Sequence, residues 1–193
     1  VFEGRMWIAG GWNSVEGQRF NDVWSSTDGE TWEQVTSSAE WLPRNDAAMV
    51  VFNGYMWILG GVTNPDTHGD DGYSSEVWRS PDGQNWELVA GNSDTPWNGL
   101  AGNEVVVFQD RLWIIGGFDG AESARTNNVW SSPDGVEWTL ETSSPGWEER
   151  NALAAVVFDN MLWIYGGNNH PTVFNDVWFS ADGETWEQAT GNA

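Results

Sequence analysis

The strongest constraint in this sequence is a fourfold internal repeat. Each copy contains an apolar run that holds a tryptophan and ends in a glycine pair, as in VFNGYMWILGG at residues 51–61. A second block follows every time, such as SEVWRSPDGQNW at residues 75–86, with two tryptophans eight residues apart. The first-block tryptophans are separated by 50, 56 and 50 residues: Trp7, Trp57, Trp113 and Trp163. The repeats occupy essentially all 193 residues, so the sequence predicts a single repeat domain.

Each repeat predicts four short strands joined by turns. The first link is a residue pair that contains Gly, Asn or Asp, which tolerate the positive φ of a tight hairpin: Glu3-Gly4, Asn53-Gly54, Gln109-Asp110 and Asp159-Asn160. The second strand is expected to end at a glycine pair: Gly10-Gly11, Gly60-Gly61, Gly116-Gly117 or Gly166-Gly167. A second tight hairpin is expected at an Asp-Gly pair: Asp28-Gly29, Asp82-Gly83, Asp134-Gly135 or Asp182-Gly183. Short, regularly spaced strands without helical periodicity indicate an all-β fold.

A four-stranded antiparallel meander at this period is typical of a β-propeller blade. The predicted blades lie at about residues 1–40, 41–96, 97–146 and 147–193. In such a meander the links between second and third strands all lie on one face. These links vary in length: residues 12–20, 62–74, 118–126 and 168–174. Variable loops on a rigid scaffold are where binding usually occurs, so we expect the binding face there.

The glycine pair, an aromatic residue on the third strand and a tryptophan on the fourth resemble Kelch repeats in all four segments. The fourth-strand residues are Trp32, Trp86, Trp138 and Trp186. The V-W-x-S-x-D-G-x-x-W pattern is similar to that of bacterial Kelch-type propeller proteins. Kelch repeats usually carry tyrosine on the third strand, and Kelch propellers usually have more than four blades. Here the third-strand residues are all tryptophan: Trp24, Trp78, Trp130 and Trp178.

The resemblance implies a non-catalytic Kelch-type propeller that acts as a protein-binding or self-assembly module. The alternative is a carbohydrate-binding or carbohydrate-active propeller, sialidase-like or lectin-like, which uses the same face. The predicted binding residues all fall in the variable links: Trp12, Arg19, Asp70, Asp71, Phe118, Arg125, Asn169 and His170. The expected partner is a protein or a second copy of the chain, with a glycan as the alternative.

The first repeat begins late in its first strand, at Val1-Phe2. After Trp186, Ala193 is reached before the matching linker and first strand of a further repeat. We therefore expect an incomplete ring that residues outside these 193 complete, or a ring closed with another copy. An open innermost strand would otherwise invite pairing with another sheet edge.

The charge balance argues against two classes of partner. The chain has 29 acids and seven arginines without lysine, for a formal net charge of −22. Nucleic acids and anionic membranes require clustered Lys and Arg, so neither is predicted to bind. Cysteine is absent, which excludes disulfides, thiolate catalysis and Cys-ligated metals. The strongly acidic composition favours solubility in salt, and we expect an extracellular or cell-surface location.

Two motifs have both a structural and a functional interpretation. The stretches at residues 26–32 and 180–186 resemble the Asp-box of sialidases, shortened by one residue, and turn chemistry favours a structural hairpin. A Trp-x-x-Arg motif occurs after two of the fourth strands, at Trp41/Arg44 and Trp147/Arg150. It suits a rim for a sugar or carboxylate. Packing between blades, with arginine stacked on tryptophan or paired with an acid, is the favoured interpretation.

The longest link is rich in possible metal ligands: Asp66, His68, Asp70 and Asp71. Its spacing differs from an EF-hand, so no cofactor is predicted and calcium is the alternative. Catalysis is not predicted either, because the two histidines form no recognisable Ser/His/Asp order and Tyr55 and Tyr165 lie in or beside predicted strands. A carboxylate pair for glycoside hydrolysis stays open, since 29 acids offer many pairs.

Overall fold

The computed structural model describes residues 1–63, 72–97 and 99–191. These residues form 17 β-strands in four antiparallel sheets, and no α-helix occurs among them. The chain is an all-β, four-bladed propeller, as the repeats predict. Nowhere in the described part of the chain is a helix long and apolar enough to cross a membrane.

In blades 1 and 2, the order of the strands across the sheet follows their order in the chain. Blade 1 has three strands: β1 Met6–Asn13, β2 Gln18–Ser26 and β3 Glu33–Thr36. In place of a first strand, only an isolated bridge joins Phe2 and Arg5. Blade 2 has four strands: β4 Ala48–Phe52, β5 Tyr55–Leu59, β6 Val77–Ser80 and β7 Glu87–Ala90.

Blades 3 and 4 each contain one additional short strand. Blade 3 comprises β8 Leu100–Ala101, β9 Glu104–Phe108, β10 Arg111–Asp119, β11 Ala124–Ser132 and β12 Thr139–Thr142, with β8 and β9 both paired to β10. Blade 4 comprises β13 Asn151–Phe158, β14 Met161–Asn169, β15 Thr172–Val173, β16 Val177–Ser180 and β17 Glu187–Thr190, with β15 and β16 both paired to β14. Strand β9 contacts both β4 and β13, so the first strands of consecutive blades form the inner layer.

The links between first and second strands are two-residue hairpins. Asn53 and Gly54 have φ values of 48° and 77°, and Gln109 and Asp110 have 49° and 55°. Two positive φ values are typical of a type I′ turn, whose twist matches the flanking strands. The matching pairs of blades 1 and 4 also have positive φ at both residues, so this prediction is confirmed in all four repeats.

The prediction that a glycine pair ends the second strand is correct only for blade 2, where β5 stops at Leu59. In the other blades it is wrong, because β1, β10 and β14 continue through the pair to Asn13, Asp119 and Asn169. In blades 1 and 3 the register shifts by a β-bulge at the pair. The bulge lets strand pairing resume beyond the glycines instead of ending there.

The glycine pair of blade 1 also connects it to the next blade. Gly10 and Gly11 have φ values of 63° and 129°, a region that residues with a side chain rarely adopt. The Gly11 N–H donates to the Arg44 carbonyl at 2.8 Å. In blade 3 the Gly117 N–H donates to the Arg150 carbonyl at 2.9 Å. Each bulge thus binds the linker that leads into the following blade.

The Asp-Gly pair does not form the predicted tight hairpin. In blade 1, β2 ends at Ser26 and β3 begins only at Glu33, and Gly29 has a positive φ of 79° while Asp28 does not. Side chains fold this loop: Ser26 Oγ accepts the Gly29 N–H at 2.8 Å, and Asp28 Oδ1 accepts the Thr31 N–H at 2.8 Å. The same bonds recur in the other three blades. The structural interpretation of the Asp-box-like motif is confirmed, but hydrogen bonds that the Ser and Asp side chains accept fold this loop in place of the expected tight hairpin.

The hydrophobic core lies between the blades. It forms three clusters, and each cluster joins residues of two consecutive blades. Val23 and Ile58 belong to the cluster between blades 1 and 2, and Ile115 and Ile164 to the cluster between blades 3 and 4. Blade-to-blade packing therefore stabilises the molecule and leaves the ends of the sheets free to carry a binding surface.

Candidate interaction surface

Two hairpins on the predicted binding face carry the same cation–aromatic pair. Trp12 of β1 lies opposite Arg19 of β2, and Phe118 of β10 lies opposite Arg125 of β11. The guanidinium carbon of Arg19 lies 4.6 Å from the Trp12 ring centroid, and that of Arg125 lies 5.5 Å from Phe118. Both distances fall within the ~6 Å over which a ring face attracts a cation. The structure thus brings four of the predicted binding residues together in two pairs.

These four residues belong to strands, and their predicted location in loops is wrong. Strands β1 and β10 pass through their glycine pairs, so only residues 14–17 and 120–123 connect the paired strands. The bulge described above is the physical reason. Side chains on paired strands are held more precisely than side chains on loops, so this surface is largely preformed.

An asparagine of the following blade or its linker holds each of these arginines. Arg19 Nε donates to Asn45 Oδ1 at 2.6 Å, and Arg125 Nε donates to Asn151 Oδ1 at 3.3 Å. The sequence analysis missed both asparagines, although each directly follows the arginine of a Trp-x-x-Arg motif. These bonds orient each guanidinium over its ring, and Trp12 stays 43% exposed.

The pair in blade 3 extends onto blade 2. The ring of Tyr73, which precedes β6, lies 5.1 Å from the ring of Phe118. Phe118 and Arg125 are both half-buried, so each keeps part of its surface accessible. Tyr73, Phe118 and Arg125 therefore form one continuous group across two blades. Aromatic residues and arginine are the types enriched in protein interfaces.

Blade 4 carries different residues at the matching positions. Asn168 and Val173 lie opposite each other where blades 1 and 3 have an aromatic residue and an arginine. The predicted residue Asn169 ends β14, and His170 is exposed in the turn that follows. A cavity of about 320 Å³, lined by Asn168, His170 and Ala152 among others, lies beside this turn. The structure thus places Asn169 and His170 on a different blade from the cation–aromatic pairs.

The remaining predicted residues, Asp70 and Asp71, lie outside the described residues, as do Asp66 and His68. The calcium hypothesis concerns that segment and stays a prediction. Within residues 1–63, 72–97 and 99–191, no three His, Asp or Glu side chains are grouped so that they could hold a metal ion.

The Trp-x-x-Arg residues lie inside the protein. Trp147 and Arg150 are 2% and 0% exposed, and the guanidinium carbon lies 5.6 Å from the ring centroid of Trp147. Arg150 Nη1 donates to the Asp176 carboxylate at 2.5 Å and to the Gly166 carbonyl at 3.0 Å. The packing interpretation is confirmed, and the interpretation as an exposed sugar-binding rim is wrong.

Arg44 makes the equivalent ion pair in blade 2, with Glu76 at 2.7 Å. Burial by itself raises the pKa of Glu76, but hydrogen bonds from Trp78 and Arg44 outweigh burial and hold the pKa below its usual value. Burial of Asp176 is likewise outweighed by bonds from the linker arginine and a tryptophan, so its pKa is also lowered. Both carboxylates stay ionised at neutral pH and act as structural counter-ions.

Comparison with models of protein families identifies the family to which this chain belongs. Residues 8–180 match the model of the DUF6242 beta propeller domain. The chain belongs to this family. The match runs from within β1 to the end of β16, so it includes both cation–aromatic pairs and the buried linker arginines of this DUF6242 propeller.

The DUF6242 propeller also resembles segments of longer proteins. The leucine-zipper-like transcriptional regulator 1 homolog of Drosophila melanogaster is 25% identical over 183 residues, which cover 86% of this chain and 18% of that protein. Beta-scruin of Limulus polyphemus is 28% identical over 152 residues, which cover 70% and 15%. Spermatocyte protein spe-26 of Caenorhabditis elegans is 27% identical over 180 residues, which cover 88% and 29%. The chain therefore spans less than a third of the length of these relatives.

A solved structure shows the same fold. The structure of YjhT matches the whole DUF6242 propeller with a TM-score of 0.79 at 20% identity, and this chain covers 70% of that one. At this identity the likeness shows the fold alone. With the family match and the similarity to the scruins, the Kelch-type propeller that the repeats predict is confirmed.

Proposed function

We propose that this DUF6242 propeller is a non-catalytic protein-binding module. The observation that carries the proposal is a repeated pair of an aromatic ring and a guanidinium on one face, Trp12 with Arg19 and Phe118 with Arg125. Tryptophan, tyrosine and arginine dominate the binding energy of protein interfaces, because each buries a large area and adds a directional contact. The relation to Kelch-type propellers supports the same class of function.

The rigidity of the surface also supports binding. Arg19 and Arg125 are each held by an asparagine of the next blade region, and both aromatic residues stand on paired strands. Side chains that are already ordered lose little conformational entropy when a partner arrives. Tyr73 widens the group on blade 3 through its contact with Phe118.

The charge of the molecule suggests the chemistry of the partner. With a net charge of −22, the propeller attracts a basic protein at long range, and this attraction weakens as salt increases. At the contact itself, the half-buried guanidinium of Arg125 suits a carboxylate or carbonyl group of the partner. We therefore expect a partner with net positive charge and an acidic or polar group at the centre of its interface.

A selection of phage-displayed peptides on the intact protein tests the proposal without a known partner. Clones that bind are measured on Trp12→Ala and Phe118→Ala, with Val136→Ala as the matched control. Val136 is 47% exposed in an Asp-Gly loop, which the topology places on the opposite face. For clones on either pair, we expect truncation of that pair's ring to weaken binding about tenfold or more, as at an interface hot spot. The control should leave binding unchanged.

Two outcomes would contradict this proposal: clones whose binding survives both aromatic truncations, or clones that depend on Val136. The carbohydrate alternative is tested with the same variants on a glycan array. The Trp-x-x-Arg motif does not support this alternative, because Trp41 and Trp147 are buried and unavailable to a sugar. Glycan binding that Trp12→Ala abolishes would show that this surface binds a sugar, and would contradict the proposal of a protein partner.

The proposed activity includes neither a catalytic step nor a cofactor. The matched relatives are Kelch-type and scruin proteins, which supports a binding role without excluding catalysis elsewhere in a longer chain. We also propose an extracellular or cell-surface location, on the acidic composition alone.

A further inference from the structure

The chain carries few positive charges, and carboxylates neutralise most of them. It has seven arginines and 29 acids. Five of the arginines form an ion pair with a carboxylate in the described part of the chain: Arg5, Arg44, Arg79, Arg111 and Arg150. Arg125 forms no ion pair there. An arginine that no carboxylate neutralises is an exception in so acidic a protein, and its charge is available to a ligand.

The neighbours of Arg125 occupy one side of its guanidinium and leave the other side open. Nε donates to Oδ1 of Asn151 at 3.3 Å, and neither Nη atom makes a hydrogen bond within the described residues. Asp119 of the paired strand is engaged in its own turn, where its Oδ1 accepts the N–H groups of Ala121 and Glu122 at 3.0 and 3.1 Å. Two unused Nη donors match a carboxylate, whose two oxygens can accept both hydrogen bonds.

The aromatic rings beside Arg125 favour such a contact. Its guanidinium carbon lies 5.5 Å from the ring centroid of Phe118, and the ring of Tyr73 lies 5.1 Å from that of Phe118. All three side chains are half-buried. Partial removal of water strengthens the attraction between a guanidinium and a carboxylate. Blade 2 supplies Tyr73 and blade 4 supplies Asn151, so the group is accessible while both adjoining blades are in place.

The corresponding arginine of blade 1 has a carboxylate close by. Arg19 Nε donates to Asn45 Oδ1 at 2.6 Å, and Asn45 Nδ2 donates to Asp46 Oδ2 at 2.9 Å. In blade 3, Asn151 is followed by Ala152 instead of an acid. The backbone is the same at both positions, with φ values of 54° at Asp46 and 52° at Ala152. The two pairs therefore share a scaffold, and the carboxylate that accompanies the first is missing beside the second.

We propose that Arg125 binds a peptide carboxylate of the partner, while Phe118 and Tyr73 receive the apolar residue next to that carboxylate. This inference rests on the proposed function, and it names the group of the partner and the blade that selects it. The pair of blade 1 does not select a carboxylate, because Asp46 repels an anion there. The net charge of −22 repels an acidic segment at long range, so we expect the carboxylate to belong to a partner that is neutral or positive overall.

NMR titration with N-acetylphenylalanine, which has one carboxylate next to an aromatic ring, tests the subsite directly. The Nε–H signal that disappears in Arg125→Gln belongs to Arg125, and the ligand should shift this signal in a saturable way. The amide of N-acetylphenylalanine has the same ring without the charge and should leave the signal in place. Arg111→Gln is the matched control variant, because Arg111 begins the same hairpin and is paired with Glu141. It should bind like the wild type.

Ala152→Asp provides the sharpest variant, because it gives blade 3 the acid that blade 1 carries as Asp46. Aspartate adopts a positive φ more readily than alanine, so the variant should fold. We expect N-acetylphenylalanine to bind it about two- to fivefold more weakly, which is the size of an exposed charge contact. Ala152→Asn has nearly the same shape without the charge, and it should bind like the wild type.

Synthetic peptides from the phage selection identify the source of the carboxylate. In peptides that require the Phe118 ring, replacement of Asp or Glu by its amide should abolish binding if a side chain supplies the carboxylate. Amidation of the C-terminus should abolish binding if the chain end supplies it. Peptides that require Phe118 but tolerate Arg125→Gln would overturn this inference and leave the protein-binding function intact.

Three results of the titration would also overturn the inference. They are an Arg125 signal that N-acetylphenylalanine does not shift, an equal shift by the uncharged amide, and undiminished binding to Ala152→Asp. The proposed function fails separately. If the Arg125 signal shifts as expected but no selected peptide depends on Trp12 or Phe118, the carboxylate subsite stands and the protein-binding role is contradicted.

Discussion

Arginine lies beside an aromatic ring in two regions of this propeller, the linkers between blades and the hairpins of the candidate surface. In the linker, Arg150 is fully buried and is bound by the Asp176 carboxylate. In the hairpin, Arg125 is half-buried, and the Asn151 amide holds its guanidinium over Phe118. A buried charge needs a charged partner, whereas a partly hydrated charge can be held by a neutral amide. The residue beside the ring is the same, and its depth separates the structural role in the linker from the proposed binding role in the hairpin.

Two adjacent residues, the arginine of a linker and the asparagine that follows it, serve both regions. Arg150 extends into the interior, and the next residue, Asn151, supports Arg125 on the surface. Arg44 and Asn45 divide the same two roles in the first linker. Successive side chains of an extended segment point to opposite sides, which explains the division.

The largest expected effect comes from removing a linker arginine. Arg150→Met leaves the half-buried Asp176 carboxylate without its counter-ion and should lower the free energy of unfolding by about 3 kcal/mol, at the lower end of the cost of a broken buried ion pair. Arg125→Met, in the hairpin, should lower it by about 1 kcal/mol or less. Urea unfolding at neutral pH measures both. Equal losses of unfolding free energy in the two variants would show that the burial of an arginine does not determine how much it stabilises the fold.

The second prediction compares two Asp-Gly loops. Gly83 of blade 2 lies against Trp7 of blade 1, whereas Gly29 of blade 1 lies against no tryptophan in the described residues. Gly83 and Gly29 have φ values of 77° and 79°, so the backbone strain of an alanine should be alike, at about 1 kcal/mol. Only Gly83→Ala also meets the Trp7 ring, and overpacking should add about 1–3 kcal/mol. Urea unfolding of the two variants and the wild type measures the difference. Identical losses of unfolding free energy would argue that the packing of Trp7 does not require a glycine at position 83.

The smallest expected effect concerns two half-buried acids, Asp176 with an arginine partner and Glu104 without one in the described residues. Burial raises the pKa of Glu104, so its ionisation destabilises the folded state, and Glu104→Gln should raise the melting temperature slightly at pH 7. This gain should disappear as the pH falls below the ordinary value of 4.5. Asp176, whose pKa is lowered, stabilises the fold above about its ordinary 3.8, and its contribution is lost as the pH falls through the folded pKa.

Thermal unfolding from pH 7 to acid, on the wild type, Glu104→Gln and Asp176→Asn, checks these opposite signs. Asp176→Asn should be less stable than the wild type at pH 7, and the difference should shrink in acid. A Glu104→Gln variant that is destabilised at pH 7 would contradict the assignment of Glu104 as a half-buried acid that no arginine holds in the described structure.

The local features of this protein could be read from its sequence. The fourfold spacing predicts four blades, and the type I′ hairpins follow from pairs such as Asn53-Gly54, whose own conformational preferences allow positive φ at both positions. The candidate binding face also followed from loop variation, and Trp12, Arg19, Phe118 and Arg125 were named from it. Such inferences work because they depend on residues within one repeat.

Only the tertiary structure decided which residues act together. The pairing of Trp12 with Arg19 depends on a bulge that carries the strands past the glycine pair, and the support of Arg19 by Asn45 crosses from one blade region to the next. The seating of Trp7 on Gly83 likewise joins residues that are distant in the chain. Sequence patterns encode preferences over a few neighbouring residues, whereas these contacts arise only when whole blades are packed against each other.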